Sequence, residues 1–265
     1  MKILITGAHG FVGSRLMQDL DDTVAAPSMR GMHEEQIRNM IEKSRADVII
    51  HTAAISDVGT CEKDPGASYE ANVRLPLFLA KAAKEQKLIC FSSDQVYRGC
   101  AGEGPYKEED ASPCNVYGRH KLEMEQRVLD VKPDAVMLRA EWMYDYPAGR
   151  PNYLRMLLNE KQVLTFGKQY RGITYLREVA ENMPKIFMLP GGVYNFGSET
   201  KQTMYEITCE MLHFLKSDRK PEEVPPAHNL WMDCTKAKEK GILFSDAKEG
   251  LKRCLKDYHL AKDRE

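Results

Sequence analysis

The sequence predicts an α/β protein: a Rossmann-type doubly wound parallel sheet carrying a small C-terminal substrate lobe. Three observations point there. Short apolar runs alternate with longer segments of helical periodicity, the pattern of a parallel sheet covered by helices. The chain opens on an apolar strand that enters a turn with glycines at 7, 10 and 13, followed by a helix-patterned segment. Downstream, Ser93 closes an apolar run, and Tyr117 and Lys121 stand four residues apart at the start of a helical stretch.

The expected strands are Lys2 to Thr6, Thr23 to Ala26, Asp47 to His51, Leu88 to Ser92, Ala135 to Arg139 and Val193 to Phe196. Each is a short apolar run of the kind buried on both faces of a parallel sheet. Helical segments are expected at about Phe11 to Leu20, Glu34 to Lys43, Pro65 to Gln86, Tyr117 to Asp130, Tyr153 to Asn159 and Leu176 to Met188. The stretch from Lys216 to His228 is charged and contains Pro221, Pro225 and Pro226, which break helices; it reads as a connection inside the lobe. The dinucleotide-binding domain is expected over 1–165 with a return segment at about 172–197, and the interleaved lobe over 198–265.

Composition narrows the function classes. The 265 residues suffice for one large domain with an appended lobe, and bury enough apolar surface to need no disulfides. A net charge of −1 gives no general attraction to nucleic acid or to an anionic membrane. The seven cysteines include no CxxC pair, so a reducing compartment fits better than a zinc site or a disulfide framework. No apolar run is long enough to span a bilayer, and Gly7 and Gly10 interrupt the N-terminal apolar stretch where a signal peptide needs continuity. A cytoplasmic protein is the expectation.

The glycines follow the spacing GxxGxxG, and each has a physical task. Gly7 permits the turn leaving the strand, Gly10 lets backbone approach phosphate, and Gly13 lets the helix pack against the sheet. Phe11 and Val12 supply first-turn amides for a pyrophosphate. An NAD site usually ends its second strand with a carboxylate for the ribose 2′-hydroxyl, but the residues from Thr23 to Arg30 contain none. Arg30 offers guanidinium donors to a 2′-phosphate, so NADP(H) is favoured over NAD(H).

YxxxK alone is a cheap pattern, since Tyr258 and Lys262 also satisfy it in the charged tail. Tyr117 and Lys121 differ in opening a helix, where four-residue spacing places both on one face, with Ser93 at a strand end to complete the set. Ketone reduction needs a hydride on carbon and a proton on oxygen, and a nicotinamide supplies only the hydride. The tyrosine is expected to give the proton, the lysine to lower the tyrosine pKa and bond the cofactor ribose, and the serine to polarise the carbonyl.

With these residues in view, the sequence resembles the extended short-chain dehydrogenase/reductases, and within them the dTDP-4-dehydrorhamnose reductase branch. The likeness runs from Lys2 to about Lys240. Asp47 to Ala54 is similar to the family's strand and loop beneath the adenine and ribose, Glu70 to Val73 to its asparagine-bearing helix, and Phe91 to Tyr97 with Asn115 to Lys121 to its catalytic segment. Leu138 to Tyr144 is similar to the stretch that approaches nicotinamide and substrate. The resemblance therefore implies Ser93, Tyr117 and Lys121 as catalytic residues, with Ala53, Ala54 and Asn72 added to the cofactor set. It implies Asp94, Gln95, Glu141, Trp142 and Arg171 on the side of a nucleotide-sugar substrate, and a homodimer through the helices at Pro65 to Gln86 and Tyr117 to Asp130, supported by Leu75, Leu77, Phe78 and Leu79. The family's Asp-Gln-x-Gly-x-Pro-Thr segment is replaced here by Lys168 to Thr174, which keeps Gln169 and Thr174 but loses the aspartate and proline. Arg171 in that segment could face a substrate phosphate or form a structural ion pair.

Other candidate sites are weaker. His9, His51 and His120 lack metal-ligand spacing, so no metal is expected. Glu108 to Asp110 reads as a solvated loop, and Met204, Ile207, Met211, Leu212 and Leu215 as a core face. The function expected is NAD(P)-dependent reduction of a nucleotide-activated 4-keto sugar. The alternatives are a sugar-nucleotide epimerase and a noncatalytic dinucleotide-binding subunit resembling that of methionine adenosyltransferase.

Overall fold

A computed structural model describes residues 1–147 and 151–260. Lys262, the second residue of the tail YxxxK pattern, lies outside them. The strands in chain order are β1 (Ile3–Thr6), β2 (Thr23–Ala25), β3 (Val48–His51), β4 (Lys87–Ser93), β5 (Val136–Ala140), β6 (Trp142–Tyr144), β7 (Thr165–Phe166), β8 (Ile173–Tyr175), β9 (Gly192–Phe196) and β10 (Glu222–Glu223). Six of them form one sheet in the order β2-β1-β3-β4-β5-β9, with every pairing parallel. This is the doubly wound parallel sheet that the sequence predicts.

Side chains on successive strand residues point to opposite faces, and both faces are spent on core. Ile3, Ile5, Val48, Ile50, Ile89, Phe91, Val136 and Leu138 enter one cluster with Leu16 and with Val179, Met183 and Ile186 of the helix Leu176–Ile186. The intervening Leu4, Ile49, Leu88, Cys90 and Met137 enter the other, against Ile37 and Ile41 of the helix Glu34–Ser44 and Met124 and Val128 of the helix Val116–Val131. A third cluster unites Tyr144, Tyr153, Leu157, Ile173 and Tyr175 with Met204, Ile207, Met211 and Leu251. The Met204–Phe214 stripe is therefore core, as its spacing suggests.

Two small sheets that sequence reasoning misses lie beside the main one. β6 pairs with β8, and β10 pairs with β7, so the proline-rich connection also contributes a strand. Both pairings join segments distant in sequence, and strands of two or three residues carry too little periodicity to be seen beforehand.

The single helix expected from Pro65 to Gln86 is divided. It runs as Pro65–Tyr69, a wide π turn Glu70–Arg74, and Leu75–Ala82. Pro76 has no N–H to return to the Asn72 carbonyl, and the turn before it widens so that the Leu75 amide reaches the Glu70 carbonyl. Leu79 is fully buried, while Leu75 and Phe78 pack on the same cluster and stay part-exposed. The acidic run Glu108–Asp110 is likewise more than a solvated loop. Glu108 accepts the Asn195 amide through its side chain and an Arg139 N–H through its carbonyl.

One buried ion pair ties the helix Val116–Val131 to the sheet. Glu125 receives Arg139 in a bidentate grip, Nε to Oε1 at 3.0 Å and Nη2 to Oε2 at 2.7 Å, while Ser92 donates to Oε1 at 2.5 Å. Arg139 also donates to Tyr97 Oη at 2.7 Å, and Tyr97 donates to Asn195 at 2.6 Å. The two charged side chains are 3% and 2% exposed, so removing one leaves the other unpaired in a low-dielectric interior. Arg139→Met is expected to lower stability by about 3 to 5 kcal/mol in urea unfolding; a loss below about 1 kcal/mol would show that the pair contributes little.

Candidate active site

A cavity of about 1590 Å³ runs over the carboxyl ends of the strands, from Arg30 and His33 at one end to Trp142 and Arg171 at the other. The sheet order reverses between β1 and β3, and the cavity opens there, where doubly wound sheets place their ligands.

The glycine turn is sterically fixed. Gly7 sits at φ +68°, and a Cβ on it would lie 2.7 Å from the Ala53 amide nitrogen. At Gly13 a Cβ would come within 2.2 Å of the Gly7 carbonyl oxygen. Gly10 donates to that same carbonyl at 2.8 Å and caps the helix Phe11–Asp19 with no side-chain hydrogen bond. The helix terminus thus presents Gly10, Phe11 and Val12 to the cavity, and among the described residues no side chain occupies the Phe11 and Val12 amides, which is the form of an anion site. Ala53 and Ala54, following β3, line the cavity beside this turn. This cradle fits a pyrophosphate.

Asn72 is placed differently from the expectation. It is fully buried and lies outside the cavity lining, where Nδ2 donates to the Ile55 carbonyl at 2.9 Å and Oδ1 accepts the Ile55 amide at 3.2 Å. It holds the loop that lines the cavity. Arg30 is exposed on the cavity rim beyond β2, and among the described residues no carboxylate pairs with it.

Tyr117 and Lys121 come from one face of the helix Val116–Val131, which is capped by Asn115 accepting the Gly118 amide at 2.7 Å. Gly118 packs against the Gln95 carbonyl at a distance that leaves no room for a Cβ, bringing this helix close to the segment after β4. Ser93, the last residue of β4, lies beside the Tyr117 phenol, and its Oγ donates to Asp94 Oδ1 at 3.1 Å and accepts the Gln95 amide at 3.2 Å. Ser93, Tyr117 and Lys121 therefore meet at the cavity wall.

The electrostatics correct one expectation. Burial raises the Tyr117 pKa above its ordinary value, and Lys121 is not among the groups that lower it; the lowering influence comes from the neighbouring Ser93 hydroxyl. Lys121 is itself buried, which depresses its pKa to about 8, and its Nζ donates to the Phe91 carbonyl at 2.8 Å, 5.8 Å from the Tyr117 ring centre. The phenol is held neutral at neutral pH, in the protonated form that a proton donor needs.

At the far end Asp94 is buried and pairs with Arg171, Nη2 to Oδ2 at 2.9 Å, while the guanidinium covers Trp142 at 5.3 Å. Arg171 thus forms the structural ion pair. Gln95 is engaged as well, accepting from the Asn115 side chain at 3.0 Å. Glu141 lines the same end, with Oε1 held by Thr174 and Ser198. Thr174 is visible in sequence only as a retained residue of the family segment and Ser198 carries no signal, because only folding brings them to Glu141. Of the histidines, His51 bonds Thr6 at 2.7 Å and His120 bonds Ser68 at 2.8 Å, both as ordinary side-chain partners.

A nucleotide cradle at the sheet's switch point, with serine, tyrosine and lysine converging beside it, defines an NAD(P)-dependent oxidoreductase of the extended short-chain type. The family model described as the RmlD substrate binding domain matches residues 1–260, and the chain belongs to that family. It is 29% identical over 247 residues to dTDP-4-dehydrorhamnose reductase of Streptomyces griseus, covering 86% of this chain and 80% of that one. It is 27% identical over 234 residues to methionine adenosyltransferase 2 subunit beta of Danio rerio, covering 78% and 72%. In fold it is similar to the crystal structure of dTDP-4-dehydrorhamnose reductase from Bacillus anthracis in complex with NADP, with a TM-score of 0.86, 22% identity and coverage of 97% and 99%.

The steric reading makes Gly13 a test of the cradle. Gly13→Ala is expected to weaken NADPH binding at least about tenfold and to destabilise the fold by about 1 to 3 kcal/mol. Gly59→Ala, whose Cβ would meet nothing closer than 3.5 Å, is the control and is expected to leave both unchanged. Equal behaviour of the two variants in cofactor titration and thermal unfolding would refute the packing argument.

Proposed function

We propose that this protein reduces a nucleotide-activated 4-keto sugar with NADPH. The observation that carries the reading is a neutral, buried Tyr117 phenol beside Ser93 and Lys121 at a cavity wall that continues from the glycine cradle. A bound nicotinamide supplies the hydride. Ser93 orients the substrate carbonyl, and Tyr117 delivers its proton to the carbonyl oxygen as charge develops there. Lys121 keeps protons beyond the one donated to Phe91, and these are available to a cofactor ribose. Gly10, Phe11 and Val12 would hold the pyrophosphate, and Arg30 a 2′-phosphate. The similarity to methionine adenosyltransferase 2 subunit beta supports a second, noncatalytic reading, against which stands the assembled set of Ser93, Tyr117 and Lys121.

NADPH oxidation measured against a panel of nucleotide-linked 4-keto sugars tests the activity directly; a silent panel would shift the balance to the noncatalytic reading. Tyr117→Phe is expected to lower turnover roughly 10²- to 10⁴-fold while leaving cofactor affinity in place. Lys121→Met should reduce both turnover and affinity, through the lost ribose contact, and wild-type turnover in Tyr117→Phe would overturn the assignment.

Cofactor choice is tested separately. Arg30→Ala should weaken NADPH binding by about 1.5 to 3 kcal/mol and spare NADH. An equal loss for both cofactors would remove Arg30 from the 2′-phosphate.

A further inference from the structure

Glu141 follows β5 and lines the sugar end of the cavity while remaining only 7% exposed. Its carboxyl is tightly held. Oε1 accepts the Thr174 hydroxyl at 2.5 Å and the Ser198 amide at 2.6 Å. A Cβ on Gly172 would fall 1.9 Å from Oε2, and one on Gly197 would fall 2.5 Å from Oε1, so the backbone closes around the group. Arg171, the guanidinium at this end, is committed to Asp94, and among the described residues Glu141 has no ion-pair partner.

This arrangement decides where a proton can sit. Two donors already use the lone pairs of Oε1, so the proton of the acid form belongs on Oε2, which accepts no hydrogen bond among the described residues. The titratable and charged groups facing Glu141 are Asp94, whose charge opposes its ionisation, Arg171, whose charge favours it, and the buried thiol of Cys234. Burial outweighs the rest and raises the Glu141 pKa to about 8.

We propose that Glu141 determines substrate specificity as a neutral carboxylic acid whose Oε2–H donates a hydrogen bond to an oxygen of the sugar. The reading rests on the proposed reductase activity and adds a donor distinct from Ser93 and Tyr117. A keto or hydroxyl oxygen satisfies that donor. An ammonium substituent, which only donates, does not, and a carboxylate finds no uncommitted cation at this end among the described residues.

Glu141→Gln and Glu141→Ala test it. In the glutamine variant the amide oxygen replaces Oε1 toward Thr174 and Ser198, and the amide N–H donates where Oε2–H did. At pH 7 its kcat/KM on a nucleotide-linked 4-keto-6-deoxy sugar should stay within about threefold of the parent, whereas Glu141→Ala should fall about 10- to 100-fold, with NADPH affinity unchanged in both. Lys121 titrates in the same range but is common to parent and glutamine variant, so its effect cancels in their ratio. The ratio of parent to glutamine variant should fall about tenfold from pH 7 to pH 9.5, because the parent loses its donor on ionising while the amide of the variant does not titrate. A glutamine variant as impaired as the alanine one, a ratio independent of pH, or faster turnover of a 4-keto amino sugar would overturn the assignment. Should the parent oxidise no NADPH with any 4-keto sugar, the reductase reading fails, and calorimetry with dTDP-glucose on the NADP-loaded proteins decides this one by the same pH-dependent ratio in Kd.

Discussion

The buried Glu125–Arg139 pair is the constraint on which the site depends. Glu125 stands one helical turn beyond Lys121 and two beyond Tyr117, while Arg139 stands on β5 and is bonded through Tyr97 to Asn195 of β9. Ser92, next to Ser93 on β4, donates into the same carboxylate. Helix, β4 and β5 are thereby locked in one register, so that a hydroxyl from β4 converges with a phenol and an ammonium from the helix. Hydrophobic packing would bind the same helix to the sheet without specifying its rotation as narrowly, because apolar contacts are not directional.

Burial then sets the chemistry of the groups so placed. The same low-dielectric surroundings raise Tyr117 and Glu141, depress Lys121, and hold His51 neutral with its pKa lowered to about 3. Each group is pushed toward its uncharged form because a charge without water or a close partner is costly. A neutral phenol and a neutral carboxylic acid are both donors, suited to a substrate that presents oxygens. The expectation that Lys121 tunes Tyr117 assumed an attraction between opposite charges; burial sets the Tyr117 shift, and Lys121 is not among the groups that lower it.

Departures between expectation and structure share a cause. Asn72 sits on the helix that the resemblance assigns to the cofactor, yet its amide is engaged by Ile55 and Ser68. Arg171 is drawn to Asp94, and the divided helix follows from Pro76 and its missing donor. In each case the residue type was visible in the chain, while its partner was fixed by a neighbour distant in sequence or by a backbone bond that composition does not reveal.

The sequence by itself determined the sheet, the glycine turn and the identity of Ser93, Tyr117 and Lys121, because these depend on local periodicity, on steric limits at single positions and on spacing within one helix. Tertiary structure alone decided the Glu125–Arg139 lock, the small β6–β8 and β7–β10 pairings and the cradle of Thr174, Ser198, Gly172 and Gly197 around Glu141. Those features join residues from separate segments, and whether a side chain is charged, free or committed is settled by its distance to partners and to water once the chain has closed around it.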